Sequence, residues 1–235
     1  MSLTTQWSQI ERMREHADET AWRWFIERYR GYLRAVLKRM LPSADCVETA
    51  VDEFWGYLFQ SGLVARMQRP MRFRAFLVGT LRNYAYDWLR RNPRAQHAPT
   101  TIDTPAPIGW LPEDEEVALW VHQLLHLALQ RLVRMQPRHA QVLRGCYGLG
   151  DAADSPPAVP VSPSQMALEM GLTRNALHQL THRARETFRQ CIVEEVRQTV
   201  STEGDMADEL AVLVEAVGRR HPGLVPPAPD TGVRP

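Results

Sequence analysis

Apolar side chains recur every three or four residues through most of this chain, and this spacing constrains its fold more than any other feature. Between Thr5 and Arg91 glycine and proline are scarce, so few positions interrupt the repeat. Such spacing places apolar residues on one face of an α-helix, whereas a half-buried strand would need strict alternation. No alternating segment stands out, so we predict an all-α fold.

Breaks in the repeat divide the chain into eight predicted helices. They cover residues 17–40, 43–59, 71–91, 113–135, 138–147, 162–170, 173–200 and 205–220. The second helix begins after Pro42, where the Ser43 hydroxyl is expected to cap it, and Ser61-Gly62 ends it. Asn92-Pro93 ends the third helix, because the residue before a proline is disfavoured in a helix.

Four prolines in residues 94–112 separate two helical regions. A segment of this composition is typical of a flexible linker. We therefore predict two helical domains, at residues 1–93 and 113–200, joined by a linker at 94–112. Residues 201–235 form a C-terminal extension, with one amphipathic helix and a proline-rich, partly disordered tail.

Charge is segregated along the chain although the formal net charge is only +1. Six arginines and a single acid lie between Arg72 and Arg94, whereas residues 113–116 are four consecutive acids. This pattern predicts a basic surface for a polyanion placed beside acidic surfaces.

Cysteine content and hydropathy limit the cellular locations that we expect for the protein. The three cysteines are far apart and lack metal-ligand spacing, which argues against a disulfide framework and favours a reducing compartment. No apolar run reaches the roughly 18 residues of a membrane span, and the polar N-terminus is unlike a signal peptide. We expect a cytoplasmic protein without membrane insertion, metal or other cofactor.

The helix predicted over residues 71–91 combines arginines with aromatic and amide side chains. One face is expected to be core: Phe73, Leu77, Leu81, Ala85, Trp88 and Leu89. Other positions carry candidate nucleic-acid contacts: Arg74, Arg82, Asn83, Tyr86, Arg90 and Arg91. Arginine neutralises phosphates, while aromatic and amide groups stack on unpaired bases or bond their edges. A solvated charged face over an aromatic core explains the same composition equally well.

Residues 164–185 have the pattern of a helix-turn-helix. Gly171 permits the positive φ of the turn, Thr173 caps the second helix, and Leu177 packs it on the first. The second helix then carries side chains suited to base edges and phosphates in a major groove. These are Arg174, Asn175, His178, Gln179, His182, Arg183 and Arg185. A plain helical hairpin is the competing interpretation.

Both stretches resemble bacterial RNA polymerase sigma factors of the extracytoplasmic-function group. Residues 73–91 are similar to the region 2 pattern F-R-x-W-L-x-x-I-x-x-N-x-x-x-D-x-x-R-R, with Phe76 and Thr80 replacing the usual Trp and Ile. Residues 129–188 are similar to region 4, although the 148–161 loop is longer than the family turn. The resemblance implies a non-enzymatic subunit that directs core RNA polymerase, through its beta-prime and beta subunits, to promoter DNA.

This resemblance also assigns roles to the candidate residues. The polar residues of the 71–91 helix would bind the −10 element, and those of the second helix of the helix-turn-helix would bind the −35 element. Asp87 is expected to hold an arginine of its own helix, because a carboxylate near phosphates is repelled.

In the family, the helix that follows Ser43 docks on a basic clamp of the polymerase through an acidic run. Cys46 and Thr49 occupy two aspartate positions of that run, leaving Glu48, Asp52 and Glu53 beside Thr49 as the docking set. A phosphate on Thr49 would supply about −1.5 to −2 charge. Members paired with Ser/Thr kinases use a threonine here, so the resemblance implies a kinase or an anti-sigma factor as regulator. A surface threonine with weaker docking is the competing interpretation.

Two other classes of function compete with the sigma factor. A stand-alone helix-turn-helix regulator would bind duplex DNA without polymerase, as a dimer. An enzyme is disfavoured because the sequence has no P-loop, nucleophile elbow or metal cluster. The pairs His178/His182 and His122/His126 have i, i+4 spacing but no third ligand follows them, so a surface or DNA-contact role is expected.

Overall fold

Every regular element in the described part of the chain is an α-helix, which confirms the predicted fold class. The computed structural model describes residues 12–13, 18–64, 66, 73–93, 111–150, 159–200 and 203–224. In chain order the helices are α1 (Glu19–Met40), α2 (Ala44–Ser61), α3 (Phe73–Arg91), α4 (Glu113–Met135), α5 (Pro137–Tyr147), α6 (Pro163–Glu169), α7 (Arg174–Arg197) and α8 (Glu203–Arg220). The predicted bounds agree to within a few residues.

Side-chain caps and glycines set the ends of α1 and α2. Asp18 accepts a hydrogen bond from the Ala21 amide, and this bond holds the pKa of the Asp18 carboxyl below its usual value. Ser43 Oγ accepts from the Cys46 amide at 3.3 Å, which confirms the predicted cap of α2. Gly62, at φ 62°, ends α2 in the left-handed conformation that glycine adopts without strain.

The described residues fall into two compact units. The first draws on Met1–Gln123 and Arg197–Asp205, and the second on Leu124–Val196 and Met206–Pro235. Helix α4 therefore belongs to the first unit through Gln123 and to the second from Leu124 onward, whereas the predicted boundary lies at its start. Residues 94–110 of the predicted linker, 151–158 of the predicted loop and 225–235 of the predicted tail lie outside the described residues.

The first unit has an aromatic core between α1, α2 and α3. Phe25 packs edge-to-face on Trp55 with ring centroids 5.8 Å apart, and Phe54 packs on Tyr84 at 5.1 Å. Such edge contacts add to the free energy gained by burying the rings. The apolar side chains that recur along α2 are buried: Val47, Val51, Phe54, Trp55 and Leu58. In α1 the buried apolar side chains include Trp22, Phe25, Tyr29, Leu33, Val36 and Leu37, whereas Ile26 is partly exposed.

The start of α4 packs on α1 through polar as well as aromatic contacts. Trp120 stacks on Tyr29 at 6.1 Å, and the Tyr32 hydroxyl donates to Glu116 Oε1 at 2.9 Å. Glu116 is buried, so the run at 113–116 is not an acidic surface throughout. A buried carboxylate needs such a partner, because losing its water shell is otherwise costly.

The second unit is built from the end of α4 with α5, α6, α7 and most of α8. Apolar side chains from these helices are fully or almost fully buried: Leu132, Leu143, Phe188, Ile192, Val196, Leu213 and Val217. Glu195 is 2% exposed and accepts from Arg131 Nε at 2.7 Å. Gly145 of α5 lies against the Met166 side chain of α6, with no room for a Cβ atom.

The three cysteines are free thiols. Burial raises the pKa of Cys146 and Cys191 above the ordinary thiol value. Across the described ranges, no helix has the length and apolar character required to span a bilayer.

Candidate nucleic-acid and partner interface

Helix α3 separates a buried face from an exposed polar face. Leu77, Leu81, Ala85, Trp88 and Leu89 are buried as predicted, and the side chain of Phe73 lies outside the described residues. Tyr84 is also buried, although the predicted core face omits it. The exposed side chains include five of the six predicted −10 contacts: Arg82, Asn83, Tyr86, Arg90 and Arg91. The sixth, Arg74, has a side chain outside the described residues.

The exposed residues of α3 form a continuous stripe. Arg82, Tyr86 and Arg90 follow one another at intervals of four, which aligns them along the helix, and Asn83 lies beside them. Tyr86 is 40% exposed, enough to offer part of its ring to a stacking partner. The stripe therefore combines two cations, an amide and an aromatic ring, which suits a single strand of nucleic acid.

Asp87 pairs with its own helix, as predicted. Its Oδ1 accepts from Arg90 Nη2 at 2.6 Å, and Arg91 Nε donates to the Asp87 carbonyl at 3.3 Å. These two bonds to Asp87 orient both arginines at the C-terminal end of α3, where positive charge also complements the helix dipole.

Glu53 contacts a different helix from the other predicted docking acids. Its Oε2 accepts from Trp88 Nε1 at 3.0 Å and from the Tyr84 hydroxyl at 3.5 Å, which joins α2 to α3. Burial, and then the Glu53 charge, raise the pKa of the Tyr84 phenol well above its ordinary value. Glu53 and Tyr84 line a groove of about 450 Å³ together with Tyr57 and Arg91.

Glu48 and Asp52 lie one turn apart on α2 and face arginines of α1. Arg30 Nη2 is 2.8 Å from Asp52 Oδ1 and 3.7 Å from Glu48 Oε2. Arg34 Nε is 2.5 Å from Glu48 Oε1. Both acids are therefore paired with arginines of the same chain. This surface carries less net negative charge than the two acids alone would give it.

Thr49 is exposed on α2 between these groups. Its Oγ1 donates to the Asp45 carbonyl at 2.9 Å, the ordinary back-bond of a helical threonine. The hydroxyl is accessible for modification, and a phosphate there would lie next to Glu48 in sequence and one turn before Asp52–Glu53.

The turn between α6 and α7 has the predicted helix-turn-helix geometry. Gly171 adopts φ 64°, and Thr173 Oγ1 accepts from the Ala176 amide at 3.2 Å. The Leu172 amide donates to the Ala167 carbonyl at 2.8 Å, closing the turn. Met166, Ala167 and Leu177 are buried, whereas Met170 and Leu172 are partly exposed.

The exposed face of α7 holds most of the predicted −35 contacts. Arg174, Asn175, His178, Gln179, His182 and Arg183 are exposed. Arg174 Nη2 donates to Ser164 Oγ at 2.7 Å, which braces the start of α7 on α6. Arg185 differs from the others, because it is partly buried and donates to the Gly223 carbonyl at 2.9 Å.

Histidines contribute to this face without forming a metal site. His139 of α5 lies near Arg183, and burial together with that charge lowers the pKa of the His139 ring. Among the described residues, no three His, Cys, Asp or Glu side chains come close enough together to hold a metal ion.

No protein-family model, curated protein or solved structure matches this chain.

Sequence patterns predicted which helices carry the candidate contacts but missed how their side chains are partnered. Neither the Arg30–Asp52 pair nor the Arg185–Gly223 bond follows from spacing, because each joins elements that are distant in sequence. The Glu53–Trp88 bond also joins two helices that are separated in sequence, and spacing does not predict it.

Proposed function

We propose that this chain is a sigma-type specificity subunit, which brings core RNA polymerase to promoter DNA and catalyses no reaction itself. One observation carries the DNA-binding part of this proposal: a helix-turn-helix in the second unit exposes six polar or basic side chains on α7. A capped second helix with arginine, asparagine, glutamine and histidine on its open face suits a major groove.

The exposed stripe of α3 supports the same proposal from the first unit. Its arginines, Asn83 and the partly exposed ring of Tyr86 suit unpaired bases and their phosphates better than duplex base edges. One face for duplex and another for single-stranded DNA is the combination required for binding a promoter at two elements and opening one of them. We assign α7 to the −35 element and α3 to the −10 element.

The docking surface on α2 supports regulation by charge. Glu48 and Asp52 are each paired with an arginine of α1, so the unmodified surface offers little free negative charge to a basic clamp. A phosphate on Thr49 would add about −1.5 to −2 charge at this surface. We propose that phosphorylation of Thr49 by a Ser/Thr kinase strengthens polymerase binding.

Glu53 does not fit this docking role in the same way. Its carboxylate joins α2 to Trp88 and Tyr84 of α3, which indicates a structural role. We therefore place docking on Glu48, Thr49 and Asp52, with Glu53 supporting the helix pair behind them.

A stand-alone duplex-binding regulator is the second candidate, because the geometry of α6 and α7 serves it equally well. The two candidates differ in whether tight DNA binding requires core polymerase. The regulator binds its duplex unaided, whereas the sigma-type subunit binds a promoter tightly only with core polymerase.

The deciding experiment measures holoenzyme assembly and run-off transcription on genomic DNA with purified core polymerase. Four full-length forms are compared: wild type, Thr49→Glu, Thr49→Ala, and Thr20→Glu as a control for an added charge on an exposed threonine of α1. We expect Thr49→Glu to assemble more tightly than Thr49→Ala, and Thr20→Glu to match wild type.

The outcomes separate the claims. Equal assembly by all four forms contradicts the phosphorylation switch alone. Absence of assembly in all four forms, and in a separate sample of wild type phosphorylated on Thr49, contradicts the sigma-type function. Tight, specific duplex binding without polymerase favours the stand-alone regulator.

A further inference from the structure

Near the C-terminal end of the described residues, the chain makes a turn in which one backbone carbonyl accepts hydrogen bonds from two side chains. Arg185 Nη1 donates to the Gly223 oxygen at 2.9 Å, and the Tyr147 hydroxyl donates to the same oxygen at 3.2 Å. Leu224, the next residue, is fully buried. We call the turn His221–Leu224, held by these two donors, the C-terminal clasp.

The clasp continues directly from α8 and is anchored within the second unit. The His221 amide donates to the Val217 carbonyl at 2.7 Å, and the Leu224 amide donates to the His221 carbonyl at 3.1 Å. Val217 is itself buried. Two side-chain donors, two backbone bonds and an apolar anchor make the clasp a fixed part of this unit.

Arg185 lies on the face of α7 assigned to DNA. It follows His178 by seven residues and His182 by three, and these spacings align the three side chains along one face. His178 and His182 are exposed, whereas Arg185 is partly buried against the clasp. The clasp therefore occupies one end of the candidate DNA-binding face.

We propose that the C-terminal clasp is an autoinhibitory contact, in which Gly223 and a DNA phosphate compete for the Arg185 guanidinium. This inference rests on the proposed DNA-binding role of α7. A phosphate is the stronger acceptor, because it is negatively charged and can accept a bidentate bond from the guanidinium, whereas the Gly223 carbonyl is neutral and accepts a single bond. Arg185 can bind a DNA phosphate only after the clasp has opened. The contacts of Leu224 and Tyr147 keep the clasp closed, and they therefore lower the affinity of the protein for DNA.

The test loosens the clasp without touching α7. Tyr147→Phe removes one donor and keeps the ring, and Leu224→Ala shortens the buried anchor. Glu215→Gln is the matched control, because Glu215 is an exposed α8 residue that pairs with Arg219 outside the clasp. Binding of each full-length protein to a fluorescent duplex of mixed sequence is measured over a series of salt concentrations.

We expect both clasp variants to bind the duplex about three- to tenfold more tightly than wild type, a change of the size that one neutral hydrogen bond contributes. The slope of log affinity against log salt steepens by about 0.9, because one more phosphate is neutralised. Glu215→Gln behaves as wild type. In an Arg185→Gln background the gain disappears.

Equal affinity and equal salt slope in wild type and both clasp variants overturn the inference, as does a gain that persists in the Arg185→Gln background. Thermal melting by circular dichroism confirms that each variant is folded. If Leu224→Ala unfolds, Tyr147→Phe alone carries the comparison. A duplex that no form binds, the clasp variants included, overturns the inference, whereas the proposed function is decided by holoenzyme assembly and run-off transcription.

Discussion

Arg30 of α1 lies 2.8 Å from Asp52 of α2, and the same guanidinium is 3.7 Å from Glu48. The arginine thus supplies positive charge to the very acids proposed to meet a basic partner. Since all three side chains are substantially exposed, the pairs add little stability and act mainly on the surface potential.

Replacing Arg30 tests this counter-ion role. Arg30→Gln removes one positive charge and leaves Asp52 without that partner, so unmodified protein should bind core polymerase about two- to fivefold more tightly. The gain should shrink as salt rises, because exposed charges are screened. Arg23→Gln is the control, because Arg23 is an exposed α1 arginine that pairs with Glu19 instead. Weaker or unchanged polymerase binding by Arg30→Gln contradicts the counter-ion role.

Tyr84 predicts a loss of stability at alkaline pH. Its folded-state pKa is raised by burial and by Glu53, so folding favours the neutral phenol. The stabilisation is present below the unfolded pKa of about 10 and is lost as pH rises above it. Tyr84→Phe keeps the ring and removes the ionising group. Urea unfolding from pH 8 upward should show a shallower alkaline decline for the variant, and parallel curves would contradict the prediction.

The turn glycine of the helix-turn-helix predicts a backbone effect. Gly171 has φ 64° and open space around it, so Gly171→Ala introduces strain of about 1–2 kcal/mol without a clash. Gly56 also faces open space but lies within helix α2. Gly56→Ala should therefore stabilise the protein by about 0.5–1 kcal/mol. Denaturant midpoints of the two variants should shift in opposite directions.

Close approach of α5 and α6 predicts coupling between Gly145 and Met166. An alanine Cβ at position 145 would overlap the buried Met166 sulfur, so Gly145→Ala should cost about 1–3 kcal/mol. In a Met166→Ala background the same substitution should cost clearly less, because the opposing side chain is gone. Additive effects in this double-mutant cycle would show that the two positions do not contact each other.

The partly exposed ring of Tyr86 predicts a specific defect in promoter opening. Tyr86→Ala should weaken strand separation by about 1–3 kcal/mol, the usual contribution of one stacked base, with polymerase assembly unaffected. Fluorescence of a base analogue placed in the −10 element reports opening. Phe59→Ala is the control, because Phe59 is a comparably exposed aromatic residue of α2. Equal defects in both variants would count against a stacking role.

Most of the helical framework could be predicted from sequence, because its determinants are local. The apolar spacing predicted each described helix, and Ser43, Gly62, Gly171 and Thr173 set their ends as expected. Such caps and turns involve neighbouring residues, so their chemistry is visible in a short stretch of chain.

Tertiary partners could not be predicted in the same way. Tyr84 appeared to lie off the core face of α3, yet α2 approaches from that side and buries it. The clasp on Arg185 joins positions 185 and 223, and helical spacing carries no information about such a pair. The sequence therefore predicted most of the exposed positions on these helices, while the contacts of their side chains required the structure.

The buried bond between Tyr32 and Glu116 has a consequence for how this chain can diverge. Replacing either partner alone removes a hydrogen bond between two buried side chains. A descendant that replaces Glu116 with leucine should carry phenylalanine in place of Tyr32. Paired substitutions at these two positions in related sequences would indicate, without a structure, that α4 packs on α1.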